Sequence, residues 1–305
     1  MEATKPNAPQ QPKPQAQPAK AVKKADNNKP VTSDVKGIKN AIWVIVICFV
    51  LAECFYIFGL GNGGNFKFSD AGNYLCHWAM PAGVTSTPQN LLGTMYMGGF
   101  VVPIILTCLF TVIVLAIERW FALSKAGGKG NQTKFVADVK KALNNKNVAE
   151  AENLCRKQQG SVGAIVYSAL QKYKEMEQSP LPKEQKLGII QQQIEEATAL
   201  EMPSLQQNLP ICATLTTLGT LLGLFGTVLG MIKSFSALSQ SGAPDSTALS
   251  TGISEALVNT ASGIATASLA LIAYNYYTNK IDNLTYAVDE LGFAIVNAYA
   301  ANHEK

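Results

Sequence analysis

The chain has 305 residues, of which 48% are apolar and only 15% are charged, and its formal net charge is +4. A soluble globular protein carries about 25% charged residues, so this deficit excludes an ordinary soluble domain. Three stretches contain no Asp, Glu, Lys or Arg, namely residues 71–117, 202–232 and 256–279. Because about 20 apolar residues cross a bilayer as a helix, each stretch is long enough for a span. The composition therefore predicts an all-α polytopic membrane protein and excludes a secreted disulfide scaffold.

The first 39 residues form a basic segment that is rich in Pro, Gln and Ala. It contains eight Lys against three acidic residues. A segment with so few groups to bury is expected to stay disordered, and it lacks the features of a signal peptide. Residues 1–39 are therefore predicted to be a disordered cytoplasmic arm that meets anionic lipid beside the first span. Nucleic-acid binding is the less favoured alternative, and we expect no nucleic-acid partner.

Four membrane spans are predicted, covering residues 40–60, 97–117, 209–233 and 251–274. Each has the length and hydropathy that a helix needs to cross the bilayer. Lys233 is unusual, because it is a cation near the outer end of the third span. Its long stem could reach outward to the headgroups.

The distribution of Lys and Arg sets the orientation of these spans, since cytoplasmic loops are enriched in both. The segments 61–96 and 234–250 contain one Lys between them, whereas the 118–208 segment contains thirteen Lys and Arg. The first two segments are therefore predicted to be external. The 118–208 segment and both termini are predicted to be cytoplasmic.

Apolar residues at helical spacing predict helices in the cytoplasmic parts. In residues 118–208 they favour a domain of three or four helices. In residues 275–305 they recur every three or four positions, so the fourth span is expected to continue as an amphipathic cytoplasmic helix. Pro203 and Pro210 are expected to bend or interrupt the passage into the third span.

Enzymatic chemistry is not indicated by the sequence. The six Cys residues include no CxxC pair, and no nucleotide-binding loop, activated nucleophile or metal-ligand cluster is evident. We therefore expect no cofactor, no metal ion and no enzymatic activity.

The third span carries a polar stripe in an otherwise apolar helix. Thr216, Thr220, Gly223, Thr227 and Gly230 are spaced by four, three, four and three residues, so they share one face. Small residues let membrane helices approach closely, whereas threonine hydroxyls donate and accept while staying neutral. The threonines could therefore line a thin hydrated path for protons. The glycines expected at helix contacts and on the pore face are Gly223, Gly226, Gly230 and Gly263.

The fourth span carries a second stripe, with Glu255 and Asn259 on one face and Thr260 on the adjoining face. A carboxylate in the bilayer core costs about 2.5–3.5 kcal/mol on insertion scales, so Glu255 is a functional candidate. The alternative places Glu255 one turn inside the outer interface, in contact with headgroups. Glu53 carries the same argument more weakly, because no polar stripe surrounds it.

The two stripes lie in longer runs that are specific when taken together. They are GLFGTVLGMIKSF at residues 223–235 and GISEALVNTASGIATASLALIAYNYY at residues 252–277. These runs closely resemble the MotA/TolQ/ExbB proton-channel superfamily, in its ExbB/TolQ branch. The resemblance covers roughly residues 209–284, and IERWFAL at residues 117–123 adds weaker support. Branch members usually have a proline where this chain has Thr220, and the shorter members lack the N-terminal span.

The resemblance implies a homopentamer that encloses the single spans of two copies of an ExbD/TolR-like partner. The membrane aspartate of that partner is protonated and deprotonated. Family threonines that line the pore beside this aspartate match Thr227 and Thr260, and the family glutamate matches Glu255. Together with Asn259 and Thr220, these residues form the expected proton pathway. The first span lacks both stripes, so we expect it at the periphery and largely dispensable for conduction.

The function that the resemblance implies is that of a stator subunit in an ExbB–ExbD-type motor of the bacterial inner membrane. Such a motor uses the proton motive force to drive mechanical work at the cell envelope. TonB-type outer-membrane import, with a TonB-like protein as a further partner, is the favoured task. Tol-type and gliding or flagellar stators use the same subunit type and stay open. A non-conducting scaffold is the rival class, and a four-span transporter ranks last because no inverted repeat is evident.

Overall fold

A computed structural model describes residues 37–38, 40–70, 72, 74–82, 84–240 and 246–303. The predicted arm, residues 1–39, lies outside this description apart from residues 37 and 38. The described residues form nine α-helices and one small two-stranded sheet. The predicted all-α class is therefore confirmed.

Helix α1 forms the first span and leads into a folded segment, residues 61–96, that is predicted to be external. This segment is called the external segment, and the helix ends next to it are called the outer ends. Helix α1 covers Ala41–Cys54 and continues as a π-helical turn over Phe55–Leu60. Strand β1 at Phe66–Phe68 then pairs antiparallel with strand β2 at Ser86–Pro88, and helix α2 follows at Leu91–Tyr96. The sequence patterns do not predict these strands.

A buried asparagine ties the external segment to the outer end of α1. The Asn65 Nδ2 donates to the carbonyl oxygens of Gly59 and Leu60, both at 2.9 Å. Its Oδ1 accepts from Asn90 Nδ2 at 2.9 Å, and the Asn90 Oδ1 caps α2 by accepting from Gly93 N. The segment therefore has a fixed position on the end of the first span.

Helix α3 covers Val101–Ala126 and forms the second span. It begins later than the predicted residue 97 because Gly98 and Gly99 turn the chain, with a φ of +75° at Gly99. It also continues past the predicted end at residue 117. The same helix therefore extends from the second span toward the segment predicted to be cytoplasmic.

Four further helices form the domain after α3, namely α4 at Gln132–Asn144, α5 at Val148–Gln158, α6 at Gly160–Glu177 and α7 at Lys183–Gln206. Asparagine side chains cap α4 and α5, since they accept from the backbone N–H groups of the first turn. The apolar faces of these helices meet in one core.

Helices α8, at Leu209–Gln240, and α9, at Ser246–Asn302, contain the third and fourth spans. The break between α7 and α8 falls at Asn208, which has a φ of +65°. Pro203 lies in the last turn of α7, and Pro210 lies in the first turn of α8, where backbone N–H groups have no partner within the helix. The interruption expected from the prolines is therefore made by Asn208 between them.

Helix α9 is continuous from the fourth span to Asn302. Its distal half buries an apolar stripe against the core of α4–α7, formed by Ile281, Leu284, Val288, Leu291, Ile295 and Tyr299. Among the described residues, four helical stretches are long and apolar enough to cross a membrane: Ala41–Leu60, Val101–Ala126, Leu209–Ser236 and Leu249–Asn302.

A buried ion pair joins the helices where α3 meets the start of α8. Arg119 is fully buried and donates to Glu118 through Nε at 2.6 Å and through a terminal nitrogen at 2.5 Å. Its other terminal nitrogen faces the carbonyl oxygens of Ser204 and Leu205, at 3.3 and 3.4 Å, at the end of α7. The Glu118 carboxylate also accepts from Ile38 N at 3.1 Å. This pair therefore connects α3, α7 and the residues that precede α1.

Candidate functional site

Helices α8 and α9 pack closely through glycine. A Cβ atom added at any of four glycines would come within 3.2 Å of the opposite helix, at Gly223, Gly226, Gly230 and Gly263. At Gly263 the nearest atom would be the carbonyl oxygen of Gly219, at 2.6 Å. The four predicted packing positions therefore all lie at the α8–α9 contact, where small residues let the two backbones approach.

Glu255 forms an ion pair across the outer ends of these two helices. Its Oε2 accepts from Lys233 Nζ at 2.8 Å. The Glu255 side chain is 11% exposed, whereas that of Lys233 is 67% exposed. A carboxylate held this deep needs a partner, and the sequence-based interpretation of Lys233 as a snorkelling side chain misses this role.

Asn259 lies one turn further into the same interface and is 1% exposed. Its Nδ2 donates to the carbonyl oxygen of Gly98 at 2.9 Å. Its Oδ1 is buried and has no hydrogen-bond partner among the described residues. Gly226 makes room for this side chain, because a Cβ there would lie 2.4 Å from the Asn259 Cβ. The Asn259 Oδ1 is therefore a buried hydrogen-bond acceptor to which no described residue donates.

Thr260 lies at the glycine contact beside this pair. Its Oγ1 donates to the Ala256 carbonyl oxygen at 3.2 Å and lies 3.4 Å from the Gly223 carbonyl oxygen. The α8 residue opposite Thr260 is thus Gly223. Thr227 is four residues further along α8, which places it about 6 Å closer to the outer end.

Thr227 and Thr220 lie on less buried parts of α8 than the glycines do. Each hydroxyl donates to a carbonyl oxygen of its own helix, at 2.5 Å for Thr227 and 3.3 Å for Thr220. The hydroxyl oxygens keep acceptor capacity for other groups. Thr220 is exposed, and Thr227 borders an open apolar groove of about 630 Å³ with Val228, Met231, Ile232 and Phe235.

The structure thus brings Glu255, Asn259 and Thr260 to one helix contact, and it leaves Thr220 and Thr227 facing outward from α8. Two contributors are missing from the sequence-based set, namely Lys233 and the Gly98–Gly99 corner. Lys233 could have been found from the antiparallel arrangement, because it lies beyond Gly226 in the same direction along the helix pair as Glu255 lies beyond Asn259. No comparable signal marks the corner, since it comes from a distant part of the chain.

Within the described part of the chain, no group of three His, Cys, Asp or Glu side chains is placed to hold a metal ion. The buried polar groups instead lie between two membrane-spanning helices. Fold and site together define a multi-pass helical membrane protein with an ionisable centre in its span region.

Comparison with known proteins shows which family part of the chain resembles. Residues 157–290 match the model of the MotA/TolQ/ExbB proton channel family. The chain is 38% identical to the biopolymer transport protein ExbB-like 3 of Synechocystis over 28% of this chain and 41% of that protein. It is 37% identical to the Tol-Pal system protein TolQ of Haemophilus influenzae over 27% and 36% of the two chains. It is 27% identical to the biopolymer transport protein ExbB of Pseudomonas putida over 59% and 54%.

The family match and these relatives support the MotA/TolQ/ExbB proton channel family, in its ExbB/TolQ branch, for the part of the chain that they cover. These matches span between about one third and one half of the length of the three relatives. The family match includes α8 and the part of α9 that carries Glu255, Asn259 and Thr260.

Proposed function

We propose that this chain is the channel-forming stator subunit of an ExbB-type motor, which uses the proton motive force to drive mechanical work at the cell envelope. The observation that carries the proposal is that Glu255 and Asn259 are buried between two membrane helices, with Lys233 paired to the Glu255 carboxylate. Ionisable groups inside membrane spans mark ion pathways and proton relays. The subunit itself catalyses no chemical reaction in this proposal.

The proposed assembly is a ring of five copies in the bacterial inner membrane, with both termini cytoplasmic. Thr220 and Thr227 support a ring, because they present hydroxyl groups on a face of α8 that the chain itself leaves open. Polar groups on a membrane helix usually face a neighbouring helix or a hydrated cavity. Two copies of an ExbD/TolR-like single-span protein would fill the centre of the ring and supply the aspartate that carries the proton.

The favoured task is TonB-type import, with a TonB-like protein as the recipient of the work. One of the relatives above is named as a biopolymer transport protein ExbB and another as a Tol-Pal system protein TolQ. A Tol-type or gliding or flagellar-type stator is the alternative within the family. The alternative outside it is a scaffold that uses the same glycine contacts for packing and conducts nothing.

Proton flux into liposomes tests the proposal. The chain is reconstituted with its single-span partner, and Thr227→Val and Thr260→Val are compared with the wild type. Each variant keeps the shape of the side chain but removes a hydroxyl. Because a hydrogen bond to a charged group contributes about 1.5–3 kcal/mol, we expect flux to fall about tenfold or more while the ring still assembles.

The matched control is Thr214→Val. Thr214 is also exposed on α8 and also donates to its own helix, to the Pro210 carbonyl oxygen at 2.9 Å, but it lies on a different face. Its substitution should leave flux unchanged. Wild-type flux in an assembled Thr227→Val, Thr260→Val double variant would contradict the assigned pathway. An assembled wild-type complex that carries no flux at all would favour the scaffold.

A further inference from the structure

The first span contacts the polar site through a short chain of groups at its outer end. The Tyr56 hydroxyl, in the π-helical turn that ends α1, donates to the carbonyl oxygen of Tyr96 at 3.0 Å. The two rings also stack, with centroids 4.6 Å apart and planes 16° apart. A single π-helical turn within a helix frequently occurs at functional sites. This turn places the ring and the hydroxyl group of Tyr56 against Tyr96, which is the last residue of α2.

The carbonyl oxygen of Tyr96 holds the corner between α2 and α3. Besides the Tyr56 hydroxyl it accepts from Gly99 N at 3.4 Å, while Gly98 N donates to the Met95 carbonyl oxygen at 3.1 Å. Both glycine N–H groups are thus bound to the end of α2. The position of the corner therefore depends on the contact between Tyr56 and Tyr96.

The corner in turn contacts both buried residues of the site. A Cβ atom on Gly99 would lie 2.3 Å from Glu255 Oε1, and the positive φ of Gly99 also favours glycine there. The Gly98 carbonyl oxygen accepts from Asn259 Nδ2 at 2.9 Å. A carbonyl oxygen can only accept, so it fixes which end of the Asn259 amide faces the corner. The Oδ1 of the same amide is buried and has no donor among the described residues.

We infer that the outer end of the first span is a positioning element for the polar site, acting through Tyr56, Tyr96 and the Gly98–Gly99 corner. It sets the orientation of the Asn259 amide and confines the Glu255 carboxylate beside Lys233. The conduction part of this inference rests on the proposed function. Sequence alone predicts a peripheral first span that conduction does not need, and these contacts assign it a role in preparing the conducting residues.

The test compares two conservative variants of the stacked tyrosines. Tyr56→Phe removes the hydrogen bond to the Tyr96 carbonyl oxygen and keeps the ring. Tyr96→Phe removes a hydroxyl from the other ring, and that hydroxyl has no hydrogen bond within the described residues, so it is the matched control. Both variants are prepared as the full chain with its single-span partner in lipid nanodiscs and in liposomes.

The first measurement is infrared spectroscopy of the Glu255 carboxyl band, identified as the band that Glu255→Gln removes. In Tyr56→Phe we expect this band to shift and broaden, because the corner no longer confines the carboxylate. The second measurement is proton flux, which we expect to fall about two- to tenfold, the effect of one lost hydrogen bond. Tyr96→Phe should match the wild type in both.

A Glu255 band at its wild-type position in Tyr56→Phe would overturn the inference, and so would an equal shift in both variants. The band does not depend on conduction. If the wild type carried no proton flux, the proposed function would fail, while the band would still decide whether Tyr56 positions Glu255.

Discussion

The two ends of the membrane helices each carry one ion pair, and the chain surrounds the two pairs differently. At the end where α3 meets α8, Arg119 is fully buried and its partner Glu118 is 11% exposed. At the opposite end, Glu255 is equally shielded, but Lys233 is 67% exposed. Arg119 uses two nitrogens on Glu118 and a third on backbone carbonyls, whereas Lys233 makes one bond.

The surroundings of each pair determine whether it stays in place or can change partners. A buried charge is tolerated when its remaining hydrogen-bonding groups are satisfied, as they are around Arg119. The Lys233 side chain is exposed and holds Glu255 by a single bond, and Asn259 beside it has no donor for its Oδ1 among the described residues. The Arg119–Glu118 pair therefore fastens helices together, and the Lys233–Glu255 pair, called the outer pair, leaves a carboxylate able to take a different partner.

The strongest way to separate the two pairs is Arg119→Met. The substitution leaves Glu118 shielded from water without its partner, and breaking a buried pair in this way costs about 3–5 kcal/mol. We expect denaturant unfolding in mixed micelles to show a loss of that size.

The control for this loss is Lys140→Met, which breaks an exposed pair with Glu290 between α4 and α9. Exposed pairs contribute about 0–1 kcal/mol, so this variant should unfold nearly as the wild type does. Equal stability of Arg119→Met and Lys140→Met would show that the buried pair fastens nothing.

A second prediction concerns the close contact of α8 and α9 next to Asn259. In Gly226→Ala the added Cβ would lie 2.4 Å from the Asn259 Cβ. Overpacking of this kind costs about 1–3 kcal/mol, and proton flux should fall with it because Asn259 must move. The measurements are unfolding in mixed micelles and flux in liposomes.

Gly188→Ala is the matched control, since a Cβ at Gly188 in α7 would meet nothing within 4 Å. Alanine is the better helix former by about 1 kcal/mol, so this variant should be slightly more stable. If Gly226→Ala were also stabilised, the close approach of α8 and α9 at this point would be refuted.

The sequence predicts the parts of this molecule whose signals are local. Charge-free stretches predict the spans, and glycine spacing predicts the packing face of α8, because both depend on one helix at a time. The Lys233–Glu255 pair depends on how two helices align, and Arg119 is buried by carbonyls of Ser204 and Leu205, far along the chain. The strands of the external segment are three residues each, too short for an alternating pattern.

A third prediction applies the methionine substitution to the outer pair. Lys233→Met should lower the free energy of unfolding by about 1 kcal/mol, because it removes a single hydrogen bond and the Lys233 side chain itself is 67% exposed. The same substitution type at Arg119 is expected to cost several times more. A loss in Lys233→Met as large as in Arg119→Met would remove the distinction between a fastening pair and an exchangeable one.

The smallest expected effect is a pH response confined to the outer end, in the external segment. Burial lowers the pKa of His77, whose ring packs against Phe66 and Tyr96 and whose Nε2 lies 2.7 Å from Ser86 Oγ. The unfolded segment has a histidine pKa of about 6.5 and so takes up the proton at higher pH than the folded one does. The stabilising contribution of neutral His77 is therefore present above that pH and is lost as the pH falls through the lowered folded value.

Hydrogen exchange, corrected for the intrinsic rate at each pH, should show β1 and β2 less protected at about pH 5.5 than at about pH 7.5. An ordinary histidine is protonated at the lower pH and neutral at the higher one. Peptides from the α4–α7 domain serve as the internal control, since His77 lies far from them in the chain. His77→Gln keeps a side chain that can bond Ser86 but removes the titration, so its β1 and β2 peptides should be equally protected at both pH values. A pH response that persists in His77→Gln would assign the loosening to another group. A wild-type segment with unchanged protection would show that the His77 proton is not linked to the fold of the outer end.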